Sequence, residues 1–219
     1  MRLLNTQVLK KLSYRQGKNV DVCGKRTASR MCFGARSFSI WDSTAQLVWD
    51  SGDDFEQTLA LLHSSDFNSS MDDNTSRKSR SDDMGAEPQD IVIGEVDGKT
   101  YAFIGLSQMG GIMIYDVSDP TAPQFVMYEL NRDFSKASND PDAGDSGPDG
   151  LQFVAANHNK RKMPLLFVAN GVSGTITVYE MGTGVGLLEY TDVEAKPFYP
   201  NPSEGIFSSE LKSNYDVYD

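Results

Sequence analysis

Residues 100–117 read Thr-Tyr-Ala-Phe-Ile-Gly-Leu-Ser-Gln-Met-Gly-Gly-Ile-Met-Ile-Tyr-Asp-Val. Two short runs rich in aromatic and β-branched residues flank the Gly110-Gly111 pair, which predicts two strands joined by a turn. Upstream, Ile91–Val96 is a further apolar run, and Asp97-Gly98 behind it is a strong hairpin signal. Downstream, Asp119-Pro120 closes the third strand and residues 124–129 supply a fourth. Four short antiparallel strands joined by tight turns predict one blade of a β-propeller.

The pattern then recurs. Residues 151–155, 165–169 and 175–180 predict three more strands, with a polar turn at Lys160-Arg161-Lys162, a Ser173-Gly174 turn and a fourth strand at 186–190. The ends of the third strands align as Ile40-Trp41-Asp42, Ile114-Tyr115-Asp116 and Val178-Tyr179-Glu180, spaced by 74 and 64 residues. The blade openings Gly85-Ala86-Glu87-Pro88 and Gly147-Pro148-Asp149-Gly150 align 62 apart. A β-sandwich predicts no such repeat. Nearer the N-terminus, Ser37–Trp41 and Gln46–Trp49 read as a hairpin, and residues 55–62 as a short helix or a loop.

The expected fold is therefore all-β: an incomplete propeller of antiparallel four-stranded blades behind a poorly structured basic tail. The divisions are a tail at 1–32, a partial blade at 33–62, an acidic loop at 63–84 and a blade at 85–130. A second acidic loop at 131–146 and a second blade at 147–190 follow, with 191–219 as an extension or the start of a further blade. Closing a propeller takes at least about four blades. The chain is expected to be a fragment, or to need further blades or subunits over its open edges.

Charge is unevenly placed. Residues 1–36 hold nine Lys or Arg and one acid, whereas residues 37–219 carry a net charge of −19. The acidic body repels nucleic acid and attracts cations. The basic head reads as a solvated tail, with a transit peptide as the alternative. No apolar run near Met1 makes a signal peptide, and none in the chain approaches the ~20 residues of a membrane span. Cys23 and Cys32 match no zinc spacing.

Four strings resemble the choice-of-anchor I domain, a family that includes mesenchyme-specific cell surface glycoproteins and bacterial secreted propellers. They are residues 80–89, 109–117, 144–151 and 169–175, within a likeness covering about 33–182. The resemblance implies an extracellular or cell-surface propeller, in a family with members labelled alkaline-phosphatase-like. This sequence departs from the pattern where Ser107-Gln108 replaces Glu-Arg, where Asn170-Gly171 replaces Asn-Glu, and where Ala86 and Asp149 interrupt Gly-Pro-Glu.

The residues themselves offer few reactive constellations. Asp82, Asp83 and Glu87 at one blade opening, with Asp145 and Asp149 at the next, supply hard oxygen donors of the kind Ca²⁺ takes. Solvated acidic loops are the competing reading. Arg80 and Arg132 are the nearest cations in sequence. Asn68 and Asn74 lie in Asn-x-Ser/Thr sequons, which are glycosylation sites if the chain is secreted. His63 and His158 are too isolated for a zinc or two-metal centre. Ser173 lies in a hairpin turn, not a nucleophile elbow. Trp41, Trp49, Tyr115 and Tyr179 occupy repeated strand positions and are expected in the core. The expected function is a binding or adhesion module for a protein or matrix partner. The alternative is a metal-dependent phosphoesterase.

Overall fold

The computed structural model describes residues 36–182 and the backbone of 187–189. The expected basic tail, Cys23, Cys32 and the segment 191–219 lie outside the described residues. The chain forms β1 (Ser39–Trp41), β2 (Leu47–Asp50) and α1 (Asp54–Leu62). The strands β3 (Pro88–Val96), β4 (Lys99–Leu106), β5 (Ile112–Asp116) and β6 (Gln124–Glu129) follow. The last four are β7 (Pro148–Val154), β8 (Leu165–Asn170), β9 (Thr175–Met181) and β10 (Leu187–Glu189). They make one two-stranded and two four-stranded antiparallel sheets, each in sequential order. The protein is mostly β, and among the described residues no sheet closes on itself.

The repeat is visible in the pairing register. Ala102 faces Tyr115 and Phe103 faces Ile114, while Leu166 faces Tyr179 and Phe167 faces Val178, an offset of 64 residues throughout. The hairpin β1–β2 carries its register shift between Ile40 and Trp41, as β5–β6 does between Ile114 and Tyr115. It is thus equivalent to the third and fourth strands of a preceding sheet. Asp42 and Asp116 even cap their turns alike, accepting from Thr44 N at 2.8 Å and Ser118 N at 3.0 Å.

The openings align differently from the sequence motif. Pro88 pairs with Leu106 and Pro148 with Asn170, each beside a register shift, so the offset is 60 and not 62. Glu87 is therefore the equivalent of Gly147. Both have positive φ, 49° and 70°. Each carbonyl accepts from the end of the neighbouring strand, Ser107 N at 2.9 Å and Gly171 N at 2.8 Å. The backbone anchors on the proline, whereas the motif aligned the glycines. Asp149 thus corresponds to Gln89, and the acids of the two openings are not repeat equivalents.

Alternation gives the central sheet two buried faces. Ala102, Ile104, Leu106, Met113 and Tyr115 pack toward β1, β2 and α1. Tyr101, Phe103, Ile112 and Ile114 pack against Leu166, Val168, Tyr179 and Met181 of the next sheet. Because Ala102 and Tyr115 are the equivalents of Leu166 and Tyr179, every sheet turns the same face toward the one before it. The stacking is head to tail. At Gly111, with φ of 73°, an added Cβ would lie 2.3 Å from the Glu129 carbonyl oxygen, so the turn before β5 requires glycine.

The helix left open by the sequence forms over Asp54–Leu62. Asp54 and Glu56 favour its N-terminus, and Phe55 and Leu59, one turn apart, bury its inner side. Phe38, Trp49, Phe55 and Tyr115 make an aromatic cluster with centroid separations of 5.0–6.1 Å. The Tyr115 hydroxyl is buried without a partner, and burial pushes the phenol above its usual range. Tyr115→Phe is expected to leave stability unchanged or raise it by up to ~1 kcal/mol, since it removes an unsatisfied polar group. A urea midpoint clearly lowered by this change would show that the hydroxyl has a partner after all.

Candidate functional site

The β4–β5 turn, the β8–β9 turn, both sheet openings and both long loops gather at one end of the stack. The composition of Ser64–Arg80, dense in Ser, Asp and Asn, predicts a loop that cannot bury a core. It forms no apolar core of its own, but its Asn68, Ser69, Ser70 and Asn74 are buried. The reason is polar rather than apolar: the loop folds around fixed hydrogen bonds. Glu56 on α1 accepts from Arg36 Nη1 at 2.8 Å, Asn68 Nδ2 at 2.7 Å and Ala86 N at 3.1 Å. One carboxylate thereby ties together β1's leading residue, the helix, the loop and the first opening.

Arg132, 6% exposed, is the second tie. Its Nε donates to Asn74 Oδ1 at 2.8 Å, Nη1 to the Gln108 carbonyl at 2.9 Å and Nη2 to the Ser70 carbonyl at 2.8 Å. Its guanidinium carbon lies 4.5 Å from the centre of the Phe134 ring. Burial pushes the guanidinium below its ordinary pKa, opposed by Tyr128, Asp72, Asp73 and Asp66. Gln108 accepts from Met71 N at 3.3 Å and donates to Glu87, while Ser146 Oγ donates to the Met71 carbonyl. Gln108 thus reaches an acidic residue through a neutral amide.

The sequence-predicted carboxylates end up apart in role. Asp82 and Asp149 are exposed. Asp83 accepts from Met84 N at 2.6 Å and pairs with Arg80 at 3.3 Å. Glu87 takes Gln108. Asp145 accepts from Asn131 Nδ2 at 2.7 Å and from the hydroxyls of Thr175 and Thr177. Arg80 neutralises an acid as expected, but Arg132 does not: its donors go to two carbonyls and an amide. Among the described residues no three His, Cys, Asp or Glu side chains converge as a metal requires. Ca²⁺ takes six to eight oxygens around one point, and the five carboxylates of the expected set do not form such a group in this arrangement.

The sequons are structural in this fold. Asn68 Nδ2 is bonded to Glu56, and Asn74 Nδ2 donates to the carbonyls of Asp133 at 3.0 Å and Lys136 at 2.9 Å. A glycan on either nitrogen replaces one of its two N–H donors. Ser173 bonds to Ser146 and Thr175, in a turn with no histidine among those partners. His63 packs edge-on against Tyr128, centroids 5.5 Å apart, and burial lowers its pKa against the opposing charge of Asp66. A histidine whose folded pKa is depressed adds stability above its unfolded pKa of about 6.5, and that stability is lost as pH falls through this value toward the folded pKa. The urea midpoint is expected to fall between about pH 7 and 5 in the native chain, and less in His63→Gln. Parallel pH profiles would remove His63 from the account.

Antiparallel sheets packed face to face with a repeated pairing register, and a polar loop end, define a mostly-β repeat protein. The chain matches the choice-of-anchor I domain over residues 2–120, more than half its length, and belongs to that family. The match reaches back into the basic head, further than the motifs alone suggest. No curated protein and no solved structure matches the chain at a significant level.

Proposed function

We propose that the chain is a section of an extracellular or cell-surface β-propeller whose loop end binds a protein or matrix partner. The observation that carries this reading is the loop end itself: two loops and two turns from successive sheets, held in one arrangement by Arg132, Gln108 and Glu56. A surface fixed in advance loses little freedom on binding. The buried polar side chains there hold one another, and the carboxylates left in solvent (Asp72, Asp73, Asp82, Asp149) favour a basic partner surface. Family membership supports the location. Among the described residues no helix is long and apolar enough to cross a membrane.

The test is binding of the purified full chain to cell surface or matrix preparations. Retention is expected to weaken with salt and to be lost when Asp72, Asp82 and Asp149 are changed together to Lys. Unchanged retention in that variant would remove the loop end from the interface. The same protein with calcium is expected to show no hydrolysis of p-nitrophenyl phosphate. Turnover abolished by changing Asp82, Asp83 and Glu87 would replace the binding reading with the phosphoesterase one.

A further inference from the structure

The acidic body contains one long acid-free stretch. Residues 37–149 hold 22 Asp or Glu and six Lys or Arg. Residues 150–179 hold no acid and three bases in a row, Lys160-Arg161-Lys162. All three bases lie in the connection between β7 and β8, at the opposite end of the strands from the loop end. The corresponding connection between β3 and β4 is the two residues Asp97-Gly98, whereas this one is ten, 155–164. Two residues suffice to join antiparallel strands, so the extra length has to be explained by something other than the hairpin.

The connection is folded and anchored. Asn159 Nδ2 donates to the carbonyls of Ala155 at 2.9 Å and Met163 at 2.8 Å, closing the segment on itself. His158 N donates to the Ala155 carbonyl at 2.9 Å, and Met181 N to that of Pro164 at 3.0 Å. Arg161 pairs with Glu180 on β9, a residue only 8% exposed. Lys160 and Lys162, on either side of that anchor, are exposed. Neither has a side-chain partner among the described residues. Lys99, at the same end of the central sheet, is by contrast paired with Asp116 at 3.0 Å. The exposed acids at this end, Glu95 and Asp97, belong to the β3–β4 hairpin.

We propose that the β7–β8 connection binds a sulfated polysaccharide of the cell surface or matrix, with the Lys160 and Lys162 ammonium groups meeting its sulfates. Arg161 acts as the positioning residue, tying the connection to β9. The inference rests on the extracellular or cell-surface location in the reading above, but not on the acidic loop end, which faces the other way. The location decides between polyanions. Anionic phospholipids lie in the cytoplasmic leaflet. A DNA duplex is stiff over ~50 nm, so one that reaches the connection also brings its phosphates alongside the acidic sheets. A flexible single polysaccharide chain can meet the connection alone. Ordering by Asn159 and Arg161 means that the backbone loses little freedom on binding. With so few cations the contact is weak by itself and adds to the loop-end contact rather than replacing it.

The test titrates the full chain with heparin, with chemically desulfated heparin, with a short DNA duplex and with phosphatidylserine vesicles, all at low salt. Heparin is expected to bind, to weaken as salt rises, and to slow hydrogen exchange in residues 155–164. Desulfated heparin is expected not to bind. Lys160→Gln with Lys162→Gln is expected to weaken heparin binding roughly tenfold with an unchanged circular dichroism spectrum. Changing Asp72, Asp82 and Asp149 to Asn, at the far end, is expected not to weaken it. Heparin held by the basic residues of 1–36 alone would leave the lysine variant at parent affinity and 155–164 unprotected, and would overturn the proposal. Duplex or vesicles bound more tightly than heparin, with the same dependence on the two lysines, would overturn it by giving the patch to another polyanion. Loss of heparin binding to the connection beside intact cell-surface retention through the loop end would sink this inference and leave the earlier reading standing.

Discussion

Arg132→Ala is expected to lower stability by ~3–5 kcal/mol. The truncation strands three buried acceptors at once: the carbonyls of Ser70 and Gln108 and the Oδ1 of Asn74. Each unsatisfied acceptor costs ~1–3 kcal/mol. Removing a buried charge recovers part of the desolvation cost, which keeps the total below the sum. Since the arginine holds the long loop to the β4–β5 turn and Asn74 to residues 133–136, the loop end is expected to loosen before the sheets do. Hydrogen exchange should rise first in 64–84 and 131–146. Arg132→Lys keeps the charge but offers one ammonium to three divergent acceptors, and is expected to restore only part of the stability. A urea midpoint for Arg132→Ala within ~0.5 kcal/mol of the parent, with unchanged m-value, would mean that the loop end is held by other contacts.

That contrast between loop end and sheets also marks where the sequence was readable. The strands were legible because they are local: Ile112–Asp116 alternates sides, Asp97-Gly98 specifies its hairpin, and the offset of 64 between Tyr115 and Tyr179 is preserved in the pairing. The openings were misaligned by two residues because Gly85 and Gly147 resemble one another in sequence, while the structure equates Glu87 with Gly147. A non-glycine residue at positive φ has no signature in composition. The order of the long loop is hidden for a related reason. Its Ser, Asn and Asp residues have the composition of a solvated segment, yet Asn68, Ser70 and Asn74 are buried by partners 12 to 62 residues away. Burial driven by long-range hydrogen bonds leaves no apolar periodicity to find. Arg132, two residues before Phe134 in a stretch rich in Asp, is the one available hint. Its neighbours in sequence suggest a neutraliser of carboxylates, and nothing local marks it as a donor to backbone carbonyls.

The second large effect is expected at the sheet interface. Phe103 is 1% exposed, stacks on Phe153 and lies in the cluster that joins the central sheet to β8 and β9. Phe103→Ala is expected to cost ~3–5 kcal/mol, the transfer term for the ring together with a cavity that flanking strands cannot close. Where the loss appears matters more than its size. In a stack of sheets, each unit contacts only its neighbours, so weakening one interface splits the cooperativity of the whole. Residues 148–181 are expected to exchange faster than 88–129, and the urea transition to lose steepness or divide. Gly94→Ala provides a check from the other side, because its Cβ would fall 2.4 Å from the Phe153 ring and press the sheets apart without removing any apolar group. If both substitutions leave a single steep transition with uniform exchange, the two sheets are held together by something other than this interface, and a chain of sheets joined face to face no longer describes how the protein coheres.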